Sequence, residues 1–307
     1  MSDSKHYNDY GTWIRSMFPF RVQKISINAG FSCPNRDGRI GQGGCIYCDN
    51  RTFNPSYCNS TSSIKAQLEE GKKFFSHKYP DMKFLAYFQA YTNTYESIDK
   101  LKRMYEEALS VEDVIGIVIG TRPDCVSDEL LDYLGHLNTQ TFITIEYGIE
   151  TANNNTLKLI NRGHDFECVK RIVSKTAEKG IITGGHIILG LPGEDSEEII
   201  RQAPLISALP INILKLHQLQ VIHGTKLEQM YKEHPFHLFS PDEYIELIGR
   251  YIKLLRKDIV IERFTSQSPK DMLLGPQWGM KNHEFTDKLM KYLRENNIYQ
   301  GQNVILP

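Results

Sequence analysis

The sequence predicts an α/β protein with a parallel, barrel-like β/α body, and three observations carry that expectation. Short apolar, β-branched runs alternate with helical patterns about six times between residues 21 and 263. The segments between the runs place their apolar residues on one face, as Val169, Ile172, Val173 and Ala177 do. A loop rich in cysteine and glycine follows the first run, and in such folds the loops after the strands converge on the mouth of the barrel.

In chain order the expected strands are Arg21–Ile27, Met82–Gln89, Val114–Ile119, Thr141–Tyr147, Ile181–Leu189 and Ile213–Leu219, with Ile259–Arg263 a candidate seventh. Tyr244, Leu247, Ile248, Tyr251 and Leu255 share a helical face. The sequence Ser240, Pro241, Asp242, Glu243 starts that helix with an N-cap serine, a proline at the first helical position and a glutamate set for a capping box. No repeat or low-complexity linker divides the chain. Residues 1–20 and 264–307 read as extensions of a body spanning 21–263.

The chain has 307 residues, 40% of them hydrophobic and 24% charged, enough for a large core. No run of about 18 apolar residues occurs and the N-terminus is polar, so a cytoplasmic protein without membrane span or secretory leader is expected. The net charge of −1 provides no global basic field. Cys33, Cys45, Cys48 and Cys58 cluster, which in a reducing compartment favours metal over disulfides. Cys125 and Cys168 stand alone and read as packing residues.

Cys33, Cys45 and Cys48 form a C-x11-C-x2-C pattern with five glycines between residues 30 and 44. Glycine lets backbone wrap closely around a bulky ligand but makes the loop costly to order without one. Two sites compete. A structural zinc ion needs a fourth protein ligand, from Cys58 or a histidine. A [4Fe–4S] cluster on three cysteines leaves one iron open to a small molecule.

The proline after Cys33, Gly43 and Gly44 before Cys45, and Tyr47 before Cys48 resemble the YhcC/YtqA-type family of radical S-adenosylmethionine (radical SAM) enzymes, related to the catalytic subunit of Elongator. The resemblance continues through Glu146 to Thr151, Asn161 to His164, Ile188 to Glu194, Leu214 to His217 and Gly224 to Leu227. It extends to Arg263, Pro276, Trp278, Gln300 and Gly301, nearly the whole chain. It implies a partial (β/α)6 TIM-like barrel. It also implies a [4Fe–4S] cluster on Cys33, Cys45 and Cys48, S-adenosylmethionine on the open iron, and reductive cleavage to a 5′-deoxyadenosyl radical. An electron donor such as flavodoxin or ferredoxin would supply the electron.

The resemblance also implies the cofactor contacts. Tyr47 and Gly190 would lie near the adenine, Arg162 would bind the carboxylate with its planar fork, and Glu146 would reach a ribose hydroxyl or the ammonium. Where many relatives have Gly-Gly-Glu after the second strand, this chain has Thr92, Asn93 and Thr94, so Thr92 and Asn93 would take the ammonium. Lys215, His217 and Cys58 are candidate catalytic groups. Each has a plainer alternative: an ion pair for Glu146 and Arg162, a strand-to-helix turn for Gly190, satisfied side chains for Lys215 and His217.

The same kinship points to tRNA, at carbon 5 of the wobble uridine. The chain as given ends soon after the barrel, so radical chemistry without acetyl-CoA is expected. Lys5, His6, Arg15, Arg21 and Lys24 mix with Tyr7, Tyr10, Trp13, Phe18 and Phe20. These could stack bases and meet phosphates, or pack the N-terminal extension onto the barrel. Lys281, Lys288, Lys291 and Arg294 form a second basic set that reads as a solvated helix face. A small-metabolite or porphyrin-like substrate, and a zinc-stabilised nucleic-acid-binding protein without catalysis, are the alternatives.

Overall fold

The computed structural model describes residues 6–52, 54–76 and 81–304. In order the elements are α1 (Tyr10–Met17), β1 (Val22–Ile27), α2 (Ile64–Ser76), β2 (Lys83–Phe88), α3 (Ile98–Leu109), β3 (Val114–Thr121), α4 (Asp128–Leu137) and β4 (Phe142–Glu150). Then come α5 (Asn154–Leu159), α6 (Phe166–Glu178), β5 (Ile182–Leu189), α7 (Ser196–Ser207), β6 (Ile213–Gln218), β7 (Val221–Ile222), α8 (Lys226–Glu233), α9 (Pro241–Ile252), β8 (Val260–Arg263), β9 (Leu273–Gly275) and α10 (Asn282–Glu295). All seven expected strands form. They make one parallel sheet ordered β1-β2-β3-β4-β5-β6-β8, curled into a half-barrel, so the candidate seventh strand closes the edge beside β6. Among the described residues no helix is long and apolar enough to cross a membrane.

Side-chain alternation along the strands sorts the interior from the outer layer. Ile143, Ile145, Tyr147 and Ile149 of β4 and Leu214 and Leu216 of β6 point outward and join Val169, Ile172 and Val173 of α6 and Tyr244, Leu247, Ile248 and Tyr251 of α9 in the main core. The Ser240 cap of α9 forms as expected: its hydroxyl accepts from the Glu243 amide and the Glu243 carboxylate accepts from the Ser240 amide. The inward set differs in kind. Leu85, Tyr87 and Val118 make a small apolar plug. Beside it stand Lys24, Glu146, Lys215 and Glu262, paired with one another.

The N-terminal aromatics pack. Trp13 and Phe18 meet Phe142 at the start of β4, with centroids 6.5 and 5.5 Å away, and Tyr7 sits edge-on to Phe264 at 4.8 Å. His6 is buried, stacks on Tyr299 and bonds the Ile298 carbonyl. Lys24 is no phosphate contact, because it turns inward to Glu146 and Glu262. These residues close the N-terminal end of the barrel rather than offering a stacking surface. Lys5 lies outside the described residues. Lys281, Lys288, Lys291 and Arg294 are exposed at or along α10, the solvated face expected.

Candidate functional site

At the C-terminal ends of the strands a cavity of about 480 Å³ opens, a size suited to a small-molecule cofactor. Cys33, Cys45 and Cys48 line it with Tyr47, Thr92, Glu146, Gly148, Glu150 and Arg162, and His186, His217 and Arg263 of β5, β6 and β8 complete the lining used below. The cysteine loop reaches this position through its turns. The Cys33 carbonyl accepts from the Arg36 and Asp37 amides, the Cys45 carbonyl accepts from the Cys48 amide, and Gly43 and Gly44 each take φ of 80°. Such positive φ values are strained for any residue but glycine.

Three side chains aim N–H groups at the sulfurs. Asn35 Nδ2 and Arg162 Nη1 each lie 3.6 Å from Cys45 Sγ, and Asn50 Nδ2 lies 3.6 Å from Cys48 Sγ. Burial pushes the Cys48 thiol up to about 11, with Cys45 adding to the rise and Arg36 opposing it. A lone thiolate is therefore disfavoured there, and a positive metal centre is what would hold it ionised. Among the described residues no three Cys, His, Asp or Glu side chains converge tightly enough for a single metal ion. Thiols on one wall of a cavity, supplied with N–H donors, fit a larger iron–sulfur group whose sulfurs accept such bonds.

Arg162 is held by the Gly148 carbonyl at 2.7 Å and the Glu150 carboxylate at 3.3 Å, and its Nε has no protein partner although buried. The guanidinium lines the cavity, so its charge, rather than that sealed nitrogen, is what faces a ligand. Room for it depends on Gly148, whose added Cβ would fall 2.4 Å from Arg162 Nη2. Glu150, at the end of β4, adopts φ of 68°, a strained conformation for a residue with a side chain.

Glu146 reaches the cavity but is not free for a cofactor. It is 1% exposed, and it accepts from Lys24 at 2.9 Å, Lys215 at 2.6 Å and His186 at 3.0 Å. Gly120 and Gly184, its register neighbours on β3 and β5, leave it space. Burial opposes its charge, yet Lys215, Lys24 and His186 hold its carboxyl well below the usual range. Burial pulls Lys215 down to about 8 against the pull of Glu146 and Glu262.

Of the expected site residues, the fold gathers Cys33, Cys45, Cys48, Tyr47, Thr92, Glu146, Arg162 and His217 around one cavity. Four fall elsewhere. Asn93 is fully buried and donates to the Gly120 carbonyl. Gly190, at φ of 93°, makes a turn against Phe239, where a Cβ would lie 3.0 Å from the ring. Lys215 is sealed inside the charge network beneath the cavity, and Cys58 packs away from it beside Asn54. His186, Glu150, Lys24 and Glu262 were not expected in the site. The sequence signal for the last two is a lone charge at an inward position of an apolar strand, which must find a partner across the barrel.

Residues 33–202 match the model of the radical SAM superfamily and residues 211–295 that of the radical SAM C-terminal domain. The Bacillus subtilis protein YtqA is 34% identical over 298 residues, 97% of this chain and 92% of that one. A tRNA uridine(34) acetyltransferase of Methanocaldococcus infernus is 23% identical over 208 residues, 65% of this chain and 38% of that one. The solved structure of the M. infernus Elp3 with an N-terminal deletion superposes with a TM-score of 0.68 at 18% identity, covering 92% of this chain and 64% of that one. With thiols set at the mouth of a curled parallel sheet and near-full-length kinship to YtqA, the chain belongs to the radical SAM superfamily, whose members use a [4Fe–4S] cluster and S-adenosylmethionine.

Proposed function

We propose that this radical SAM enzyme modifies tRNA at the side chain on carbon 5 of the wobble uridine. The observation that carries the reading is the sequence kinship to a tRNA uridine(34) acetyltransferase over 65% of this chain. The cavity rim supports it. Tyr91 is 40% exposed at φ of 62°, with the Arg36 guanidinium over its ring at 5.9 Å, and both line the cavity. An exposed ring beside a cation suits a stacked base and its phosphate. Family membership supports an iron–sulfur cluster over the non-catalytic zinc alternative.

Cys33, Cys45 and Cys48 would hold the cluster, with Asn35, Asn50 and Arg162 donating to their sulfurs. Bound together, cluster and cofactor supply a one-electron cleavage that yields a radical able to take hydrogen from a substrate. Arg162 would meet the cofactor carboxylate with its fixed positive charge, and Tyr47 and Thr92 bound the same chamber. The remaining task of the protein is to orient the cofactor and keep water out. Nucleoside mass spectrometry of tRNA from a strain without this gene tests the reading: loss or truncation of a wobble-uridine modification is expected, and an unchanged profile removes tRNA as substrate.

A further inference from the structure

The wall of the cavity formed by β5 and β6 carries two imidazoles that the cofactor reading leaves unused. His186 on β5 and His217 on β6 both point inward, with ring centroids 5.6 Å apart and planes 32° apart. Their surroundings fix the proton on each ring. His186 Nε2 lies 3.0 Å from Glu146, a carboxylate kept ionised by Lys24 and Lys215, so Nε2 carries the hydrogen and Nδ1 presents a lone pair. His217 Nε2 lies 3.3 Å from the Arg263 guanidinium, which can only donate, so Nε2 accepts and Nδ1 carries the hydrogen. Burial and the neighbouring cations Lys215 and Arg263 keep both rings neutral.

Neither Nδ1 has a protein partner among the described residues, and neither is a sealed, unsatisfied nitrogen, so both reach open space. The other polar side chains of that wall are largely paired with one another. Gln218 exchanges hydrogen bonds with the Ser266 backbone, Ser268 donates to Gln220, and Asn282 accepts from Thr265. Among the groups left unpaired are one imidazole acceptor and one imidazole donor, on the neighbouring strands β5 and β6 and beside the Arg263 guanidinium.

We infer that His186 and His217 read the imide edge of the target base, His186 Nδ1 accepting from N3–H of a uracil and His217 Nδ1–H donating to its adjacent carbonyl. This rests on the tRNA reading and names how the base is chosen. Cytosine and adenine present the reverse pattern, an unprotonated ring nitrogen beside an amino group, and would leave both imidazoles facing the wrong partner. Guanine shares the imide pattern, so the pair excludes cytosine and adenine and not guanine. Arg263 and Glu146 act as positioning residues, since each sets the tautomer of the ring it holds.

The test measures binding, by fluorescence anisotropy, of anticodon stem-loop RNAs to the anaerobically reconstituted holoenzyme with S-adenosylmethionine present. The loops carry uridine, 3-methyluridine or cytidine at the wobble position. The wild type is expected to favour uridine over each of the others by about tenfold or more, the worth of a buried hydrogen bond left unmade. His186→Leu deletes the acceptor, and the uridine to 3-methyluridine ratio should fall to near one, whereas His186→Gln, which still offers a donor to Glu146 and a carbonyl acceptor, should retain part of it. His217→Leu deletes the donor. It should weaken uridine and 3-methyluridine alike, whereas a merely structural role would weaken every RNA equally. Equal binding of uridine and 3-methyluridine loops by the wild type overturns the inference without any variant having to fold. If the nucleoside profile of the deletion strain still changes, the tRNA reading survives that result. Failure to bind any loop removes both.

Discussion

Glu146→Gln is the sharpest perturbation of this barrel. The substitution keeps the size of the side chain and removes one negative charge. Lys24 and Lys215 are then left to share Glu262, at 2.6 and 3.3 Å, so two buried cations face one anion. Removing one partner of a buried ion pair costs about 3–5 kcal/mol, because the charge left behind has lost its water and gained nothing. At about 2 °C per kcal/mol for a chain of this size, the midpoint of thermal unfolding should fall by roughly 6–10 °C. Urea unfolding of both proteins measures the same difference directly.

The pH dependence gives the argument a sign. The carboxyl of Glu146 is held below its ordinary value, so the stability it contributes is complete above about pH 4.3, its unfolded value, and drains as pH falls toward the folded one. The variant should lack that acid slope. Its deficit should also narrow as pH rises toward about 8, the value to which burial pulls Lys215 with Glu146 in place, since without Glu146 that lysine loses its proton at lower pH and leaves the network neutral. A difference below about 1 kcal/mol at pH 7 would refute the reasoning, because it would mean the network is solvated like a surface pair.

Three further outcomes follow from the site and its support. Cys48→Ala should lose the roughly four irons and four sulfides per chain expected of the anaerobically reconstituted wild type; stoichiometric zinc without sulfide would contradict the cluster assignment. Gly148→Ala places a Cβ 2.4 Å from Arg162 Nη2 and 2.5 Å from Glu150 Oε1, so the guanidinium must move. Equilibrium dialysis should show S-adenosylmethionine binding weakened by about tenfold, and unchanged affinity would remove Arg162 from the cofactor site. Trp13→Ala should cost about 2 kcal/mol of stability through lost packing on Phe142 while changing RNA affinity by less than about twofold. A tenfold loss of RNA affinity with unchanged stability would restore the aromatics as a stacking surface.

What the sequence made legible was local. Each strand was marked by a β-branched run, and Ser240 to Glu243 announced a helix start that formed in every detail, because capping depends on residues three positions apart. The cysteine loop was legible for the same reason: its ligands lie within 16 residues of one another. The interior was not. Lys24 meets Glu146 across 122 positions and Glu262 across 238, and no periodicity within a window reports such a pairing. Read among its neighbours, Lys24 looked like part of a basic, aromatic stretch. Read on its strand, it alternates with Ile25 and must point the other way. The placement of Asn93 and Gly190 was illegible for a related reason. Each sits beside a site residue in sequence, but its side chain, or the Cβ that Gly190 lacks, faces Gly120 or Phe239 and not the cavity.

The charge network poses a question of economy. Two lysines and two glutamates buried beneath a cavity stabilise the fold less than well-packed apolar residues of similar volume would, by about 1–4 kcal/mol in comparable cases. A barrel interior filled with leucine and valine is the ordinary solution, and the plug of Leu85, Tyr87 and Val118 shows that this chain uses it in part. The charges share the interior with that plug, and one of them, Glu146, lines the cavity and bonds the imidazole of His186. Replacing the network together, Lys24→Met, Glu146→Leu, Lys215→Met and Glu262→Leu, should therefore leave stability equal or higher, while the His186 tautomer is released and discrimination between uridine and 3-methyluridine is lost. If stability falls sharply instead, the network is there for the fold. If stability holds and discrimination persists, Glu146 does not set the tautomer, and the donor–acceptor logic of the cavity wall fails with it.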